Sequence, residues 1–452
     1  MRPLRLVFSA AVFATAGCTS GPNNAPTGSG TAGAPVGGSS GTSGAAATTG
    51  AGTTGAAGTI GAAGAAGAAG TTGAAGTTGA GAATAFPAGP RRTLPGDTEW
   101  PQLAYSPVNT STTTGRVPEK PTLLFDTVID GQIAYTTPVV GGGKLFYELY
   151  PGGMVAIDAG TGAVVWQNKT IGNGKYGTAA YADGHVLTVV YPPSTSGFVI
   201  NVAALDAATG QLQWSAPADF SGILKVDRGT VYFTAGHVVA LDVATGAPRW
   251  TSVEACASPP AIDGDTVFCL DTDRLVALDT ATGVLRYAAP TPPSSVVSSP
   301  AVADGRIFYV GDRLYARSTT DGAALWDAEF GPANLPVNGG TWIETSPAIA
   351  YGKVFVVGKA GVYAFDAGAG AQVWQTAGGP FPGTSVAVAD GRVVSGASLL
   401  DADDGRLLWS ASDGVTVTST PVVTDGHFYG GTLQRNHIYG WGGTVPGVAP
   451  AY

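Results

Sequence analysis

Charge is what the start of this sequence lacks: from Leu6 to Pro90 there is no Asp, Glu, Lys or Arg, and 20 of the 69 glycines fall between Gly21 and Gly81. A stretch without charge and with almost no bulky apolar side chains cannot offset the entropy of ordering its backbone, so a packed domain is not expected before Arg91. Cysteine is nearly absent, with three residues in 452, and no two are adjacent. Histidine is equally sparse: His185, His237, His427 and His437 are dispersed and lack metal-ligand spacing. After Arg91 there is no Gly-x-Ser-x-Gly, no phosphate-binding Gly-x-x-x-x-Gly-Lys and no His-Glu-x-x-His. No catalytic, metal or cofactor residue is therefore assigned. Basic residues are also too few for nucleic acid, since 22 Lys and Arg face 31 Asp and Glu.

What is present begins with an address. Arg2 and Arg5 precede the apolar run LVFSAAVFATAG, which has the length of a signal-peptide core and is too short to span a bilayer. Residues 1–17 are read as a signal peptide. Thr15-Ala16-Gly17-Cys18 resembles the bacterial lipobox, which implies lipid attachment at Cys18 and, without a retention Asp after it, the outer membrane of the cell envelope. Ala14-Thr15-Ala16 also reads as an ordinary cleavage site, and its use would give a secreted protein. Residues 18–90 form a Gly/Ala/Thr tether, expected to be disordered, with an r.m.s. span of about 45 Å as a Gly-rich coil.

From residue 91 onward the sequence repeats itself. VAIDAGTGAVVW (155–166), VAALDAATGQLQW (202–214), VVALDVATGAPRW (238–250) and LVALDTATGVLRY (275–287) are copies of one motif, and weaker copies end at Trp326, Trp374 and Trp409. Each copy is a short apolar strand, an Asp-containing turn closed by Gly, and an aromatic four residues later. The aromatics Trp166, Trp214, Trp250, Tyr287, Trp326, Trp374 and Trp409 have a mean spacing of 40.5 residues, the length of one propeller blade. A hairpin signature such as SPAVADGRIFY (299–309) precedes most copies. A blade is thus four antiparallel strands, and the aromatics of the outer strands are expected to clamp neighbouring blades. At the C-terminus STPVVTDGHFYGG (419–431) and HIYGW (437–441) supply three strands of an eighth blade. TLLFDT (122–127) is expected to supply the fourth. The fold class is all-β, an eight-bladed β-propeller over residues 91–452 with its last blade closed by an N-terminal strand.

These copies, the S-P-A-V-A-D-G hairpins and the opening Trp100-Pro101-Gln102 resemble the pyrroloquinoline-quinone-like repeat propellers. Within that family the chain looks most like the propeller lipoprotein of the outer-membrane β-barrel assembly machinery, whose propeller is a non-catalytic docking platform. Other members are quinone-dependent alcohol dehydrogenases, and resemblance to those implies a pair of adjacent cysteines, calcium-binding carboxylates and a catalytic Asp. The cysteine pair is missing here. The repeated aspartates have structural explanations: Asp158, Asp206, Asp242, Asp279, Asp366 and Asp401 stand four before the turn Gly, and Asp183, Asp263, Asp304, Asp390 and Asp425 occupy hairpin turns. Cys256 and Cys269 flank the Asp263-Gly264 hairpin as diagonal neighbours, placed either for a structural disulfide or as buried thiols.

Departures from the repeat point to where partners bind. YPPSTSGF (191–198) and DAEFGPANLPVNGGTWIE (327–344) are insertions, and neither the period nor the alternation of strand connections requires them to share a face. Their aromatics Tyr191, Phe198, Phe330 and Trp342, with Glu344, Arg435 and His437, are the candidate partner-binding residues. The reading is a monomeric, non-enzymatic cell-envelope lipoprotein without cofactor. Its propeller serves as a scaffold for envelope proteins, in outer-membrane protein assembly, and meets the membrane through its lipid anchor only. A quinone-dependent dehydrogenase using the central channel, or a glycan-binding module, are the alternatives.

Overall fold

A computed structural model describes residues 97–445 apart from 134–136, 151–152, 173–177, 191–199, 219–221, 294–297, 331–345, 359–360, 377–384, 413–414, 416 and 433–434. Residues 1–96, on which the expected signal peptide, Cys18 and the expected tether fall, lie outside the described residues. Eight antiparallel sheets follow one another along the chain. The fifth serves as the type: Ala301–Ala303, Arg306–Val310, Leu314–Ser318 and Ala324–Ala328 run in order from the inside of the ring to its perimeter. The inner strands of blades 1 to 8 are Val139–Gly141, Ala180–Ala182, Lys225–Asp227, Ala261–Asp263, Ala301–Ala303, Ala348–Ala350, Ala387–Ala389 and Val422–Thr424. Blade 1 departs from the four-strand pattern, because the two-residue strand Gln132–Ile133 also pairs with Leu149 and Tyr150. In blade 8 the perimeter strand is Thr122–Val128, antiparallel to His437–Gly442, so the N-terminal segment closes the ring as the apolar pattern of 122–127 predicts.

Burial follows from this stacking. The second and third strands of a blade are covered on both faces by neighbouring blades and read as continuous apolar runs, as in Ile307–Val310 and Val354–Val357. Seven apolar clusters each span a seam. One joins Phe146 of blade 1 to Leu205 of blade 2, another joins Tyr232 of blade 3 to Ile262 of blade 4, and one unites blades 7, 8 and 1 around Trp441 and Tyr147. Outer strands alternate between exposed and half-buried positions. Every one of the eight carries a β-bulge immediately before its aromatic residue, at Leu124, Val165, Gln213, Arg249, Arg286, Leu325, Val373 and Leu408. A bulged edge cannot offer a regular ladder to a foreign strand.

The repeat aromatics act between blades. The indole N–H of Trp166 donates to Ala207 O (3.1 Å), Trp214 to Val243 O (2.9 Å), Trp250 to Thr280 O (2.9 Å), Trp326 to Ala367 O (3.1 Å) and Trp374 to Ala402 O (3.1 Å), each in the turn of the next blade. The Tyr287 hydroxyl donates to Thr319 O at 2.8 Å, and Trp409 meets Phe428 edge-on with ring centroids 5.9 Å apart. The turn aspartates hold the receiving loops: Asp206 Oδ1 accepts from the N–H groups of Ala208 (3.1 Å) and Thr209 (2.8 Å) and from the Thr209 hydroxyl (2.8 Å). Cys256, just after the outer strand of blade 3, and Cys269, in the second strand of blade 4, form a disulfide with Cα atoms 5.9 Å apart. That bond crosses a blade seam.

Candidate functional site

An up-and-down blade has two distinct ends. Turns after the first and third strands lie on one face of the ring, here the turn face, and connections after the second and fourth strands lie on the other, the connection face. Insertion 191–198 leaves from His185–Val190 and returns at Ile200–Asp206, whereas insertion 327–344 follows Ala324–Ala328. Antiparallel pairing therefore puts Val190, Ile200 and Ala328, the described residues that flank the two insertions, at the connection face. The sequence period alone leaves this open.

The structure divides the candidate partner residues. Tyr191, Phe198, Trp342 and Glu344 lie outside the described residues. Phe330 does not belong to a partner surface: it is buried, edge-on to Tyr363 (5.7 Å between centroids) and Phe365 (6.2 Å), because the seam between blades 5 and 6 needs a large ring there. Arg435 is exposed on the connection between the second and third strands of blade 8. Beside it His437 Nδ1 lies 2.8 Å from Asp126 Oδ1 of the closing strand, both half-exposed. Arg435 and His437 therefore stand together on the connection face.

The turn face is occupied by the chain itself. Residues 97–117, which sequence reasoning singled out only through Trp100-Pro101-Gln102, make one circuit of the ring as a strap. Trp100 exchanges N–H···O bonds with Val140 of blade 1 (2.9 and 2.8 Å), and Tyr181 N–H of blade 2 donates to Pro101 O at 2.6 Å. On blade 3 the Gln102 side chain imitates a peptide, accepting from Val226 N–H (2.8 Å) and donating to Val226 O (3.3 Å), while the buried Lys225 ammonium donates to Leu103 O. Ile262, Val302, Ile349 and Val388, the middle residues of inner strands 4 to 7, donate their N–H groups to Pro107 O (2.9 Å), Val108 O (2.8 Å), Thr110 O (2.8 Å) and Ser111 O (2.9 Å). Between blades 4 and 5 the buried Asn109 amide donates to Pro260 O (3.1 Å) and Pro300 O (2.8 Å). At blade 8 Asp425 N–H donates to Asp97 O (2.7 Å) and Gly426 N–H to Arg116 O (2.8 Å).

Two polar clasps fix the strap's ends. Asp97 Oδ2 accepts from Tyr105, Thr113 and both donors of Thr114, closing the circuit on itself. Burial alone would raise the Asp97 pKa, but those hydrogen bonds outweigh it and hold the carboxyl below its ordinary range. The buried Arg116 guanidinium grips Asp425 in a bidentate pair, Nε to Oδ1 at 2.7 Å, which raises its own pKa. Arg392, also buried, pairs with Asp390 and donates to Val117 O.

A quinone with calcium needs a carboxylate cluster, and among the described residues no three His, Cys, Asp or Glu side chains come together to hold a metal. Cys256 and Cys269 are committed to a blade seam, and the turn aspartates to their own loops. These residues do not fit a quinone site.

Comparison with known proteins agrees with the architecture. The family model described as outer membrane protein assembly factor BamB matches residues 109–215, 200–361 and 358–439. No curated protein matches the chain. Among solved structures it resembles BamB from Moraxella catarrhalis at 16% identity, covering 72% of this chain and 100% of that one with a TM-score of 0.55. It also resembles quinohemoprotein alcohol dehydrogenase from Comamonas testosteroni at 14% identity, covering 78% and 81% with a TM-score of 0.60. A europium-containing methanol dehydrogenase is 14% identical, with 76% and 98% covered and a TM-score of 0.61. At these identities the structural likenesses report the fold, which enzymes and an assembly factor share.

Proposed function

Because the chain belongs to the family of the outer membrane protein assembly factor BamB, we propose that its propeller is a non-enzymatic scaffold of the cell envelope that binds a protein of outer-membrane assembly through the connection face. The observation carrying this reading is the unlike treatment of the two faces. Along the turn face the strap bonds to the inner strands, whereas the connection face holds the described strand ends from which both insertions depart and the exposed Arg435 beside His437. Irregular connections on a rigid ring are where a repeat fold gains specificity. Tyr191, Phe198, Trp342 and Glu344 complete the proposed surface, with aromatic and charged groups of the kind that anchor protein interfaces.

On this reading the chain is held at the outer membrane through acylated Cys18 and acts as a monomer. The acidic balance, 31 carboxylates against 22 basic side chains, favours a partner surface of basic character.

Photo-crosslinking in intact envelopes tests the proposal. A crosslinker at Arg435 or Trp342 should capture a β-barrel assembly protein, and one at Thr161 or Thr209 in the turn-face loops should not. Capture from both faces alike, or from neither, overturns it. So does a micromolar complex with pyrroloquinoline quinone and calcium that reduces a dye on alcohols. In the same cells Cys18→Ala should release the protein from the membrane fraction, and a variant that stays bound removes the anchor from the proposal.

A further inference from the structure

The strap differs from every other element of the ring. It belongs to no blade, has no repeat counterpart and pairs with all eight sheets only through the inner strand edges that face the channel or the hairpin beside them. Those edges present unpaired N–H groups of one kind, the middle residue of each inner strand, at a constant place around the ring. Seven of them donate to the strap, six to its carbonyls and one, Val226, to the Gln102 side chain. Main-chain pairing to an open edge, with side chains supplying register, is how extended peptides are bound.

The strap's shape is held by its own turns together with its bonds to the ring. Ala104 (φ 56°), Tyr105 (φ 69°), Asn109 (φ 63°) and Ser111 (φ 51°) are left-handed without being glycine, and such residues hold that conformation only when their surroundings impose it. Three side chains act as keys, each at a different part of the circuit: Gln102 on Val226, Asn109 across Pro260 and Pro300, and Arg116 on Asp425. The link onward to the closing strand, Pro118–Pro121, carries the exposed Glu119 and Lys120.

We propose that seven inner strand edges and the hairpin of blade 8 form a peptide-binding site on the turn face, and that residues 97–117 are its resident and separable ligand. The ligand is a segment with its own turns between Gln102 and Asn109, read by main-chain donors, with a Gln, an Asn and an Arg as keys. The tether is then joined to the propeller twice, covalently through residues 118–121 and non-covalently through the strap.

The test uses the full-length chain with a specific protease site inserted between Glu119 and Lys120. After cleavage under native conditions, the N-terminal fragment should co-elute with the ring at micromolar concentration, and the melting temperature should become concentration-dependent. A labelled synthetic peptide of residues 97–117 in excess should exchange into the cut protein, and a scrambled one should not. Asn109→Ala leaves two buried carbonyls unpaired and should weaken retention by about tenfold or more, with Gln102→Ala as a second, independent key. Departure of the fragment from a still-folded ring overturns the proposal. So does unfolding of the ring upon cleavage, which would make the strap an integral part of the core. Retention indifferent to both substitutions overturns it too.

Discussion

The indole of Trp214 covers Gly246 of the next blade so closely that a Cβ on that glycine would stand 2.5 Å from its ring carbon Cε3. The same pairing recurs between Trp166 and Gly210, Trp250 and Gly283, Trp326 and Gly370, and Trp374 and Gly405. Each turn glycine is thus fixed twice, by a left-handed backbone (φ 70° at Gly246) and by its neighbour's ring.

Gly246→Ala should therefore destabilise the propeller by about 2–4 kcal/mol, the sum of left-handed strain and overpacking. Gly184 has a similar φ of 77° but open space around it, so Gly184→Ala should cost only the strain, about 1 kcal/mol. Urea midpoints of the two variants check this. Equal costs would show that the indole contact contributes nothing.

The disulfide across the seam of blades 3 and 4 closes a short loop, since Cys256 and Cys269 are separated by 13 positions in sequence. Cys256→Ser with Cys269→Ser should lower stability by about 3 kcal/mol, the magnitude for a loop of that size. Both sulfurs are buried, so a reductant should act on the native protein only through opening of the seam. Thiol labelling against time checks this, and immediate labelling in native buffer would contradict it.

Acid should weaken the turns in a defined window. The Arg249 guanidinium and the Thr245 hydroxyl hold Asp242 down to about 2, and Arg286 with Thr282 does the same for Asp279, also to about 2. A carboxyl depressed in the folded state stabilises the protein above its unfolded pKa, near 3.9, and that contribution is lost as pH falls through the folded value. Stability should be flat from pH 7 to 5 on account of these groups and decline between about pH 4 and 2. Asp242→Asn should flatten the decline. An NMR titration placing the Asp242 carboxyl at an ordinary value would remove the basis of the prediction.

The blades were legible in the sequence because each repeats the same physical problem: a turn that needs a left-handed Gly, an Asp to satisfy its N–H groups, and an aromatic to cover the next turn. The closing strand was legible because its apolar pattern copies an outer strand, with Phe125 seated where the other blades carry Trp or, in blade 4, Tyr287. The strap was not. Its recognition rests on backbone carbonyls, which any sequence supplies, and on single side chains such as Asn109 and Lys225 that follow no period. Lys225 stands where the inner strands of five other blades have Ala, so it did carry a signal, that of one lysine in an apolar column. Phe330 misled because an aromatic in an insertion reads as surface until the adjoining seam is built around it.

A ring of repeats has only nearest neighbours, and its stability divides into local terms that allow one part to open while the rest persists. A segment bonded to every member changes that arithmetic. Blades 1 and 5 are not neighbours in the ring order, yet both are bonded to the same short stretch of chain, through Trp100 and Val108. The strap is to the blades what a hub is to spokes: opening any one blade with the strap in place also costs that blade's bond to it.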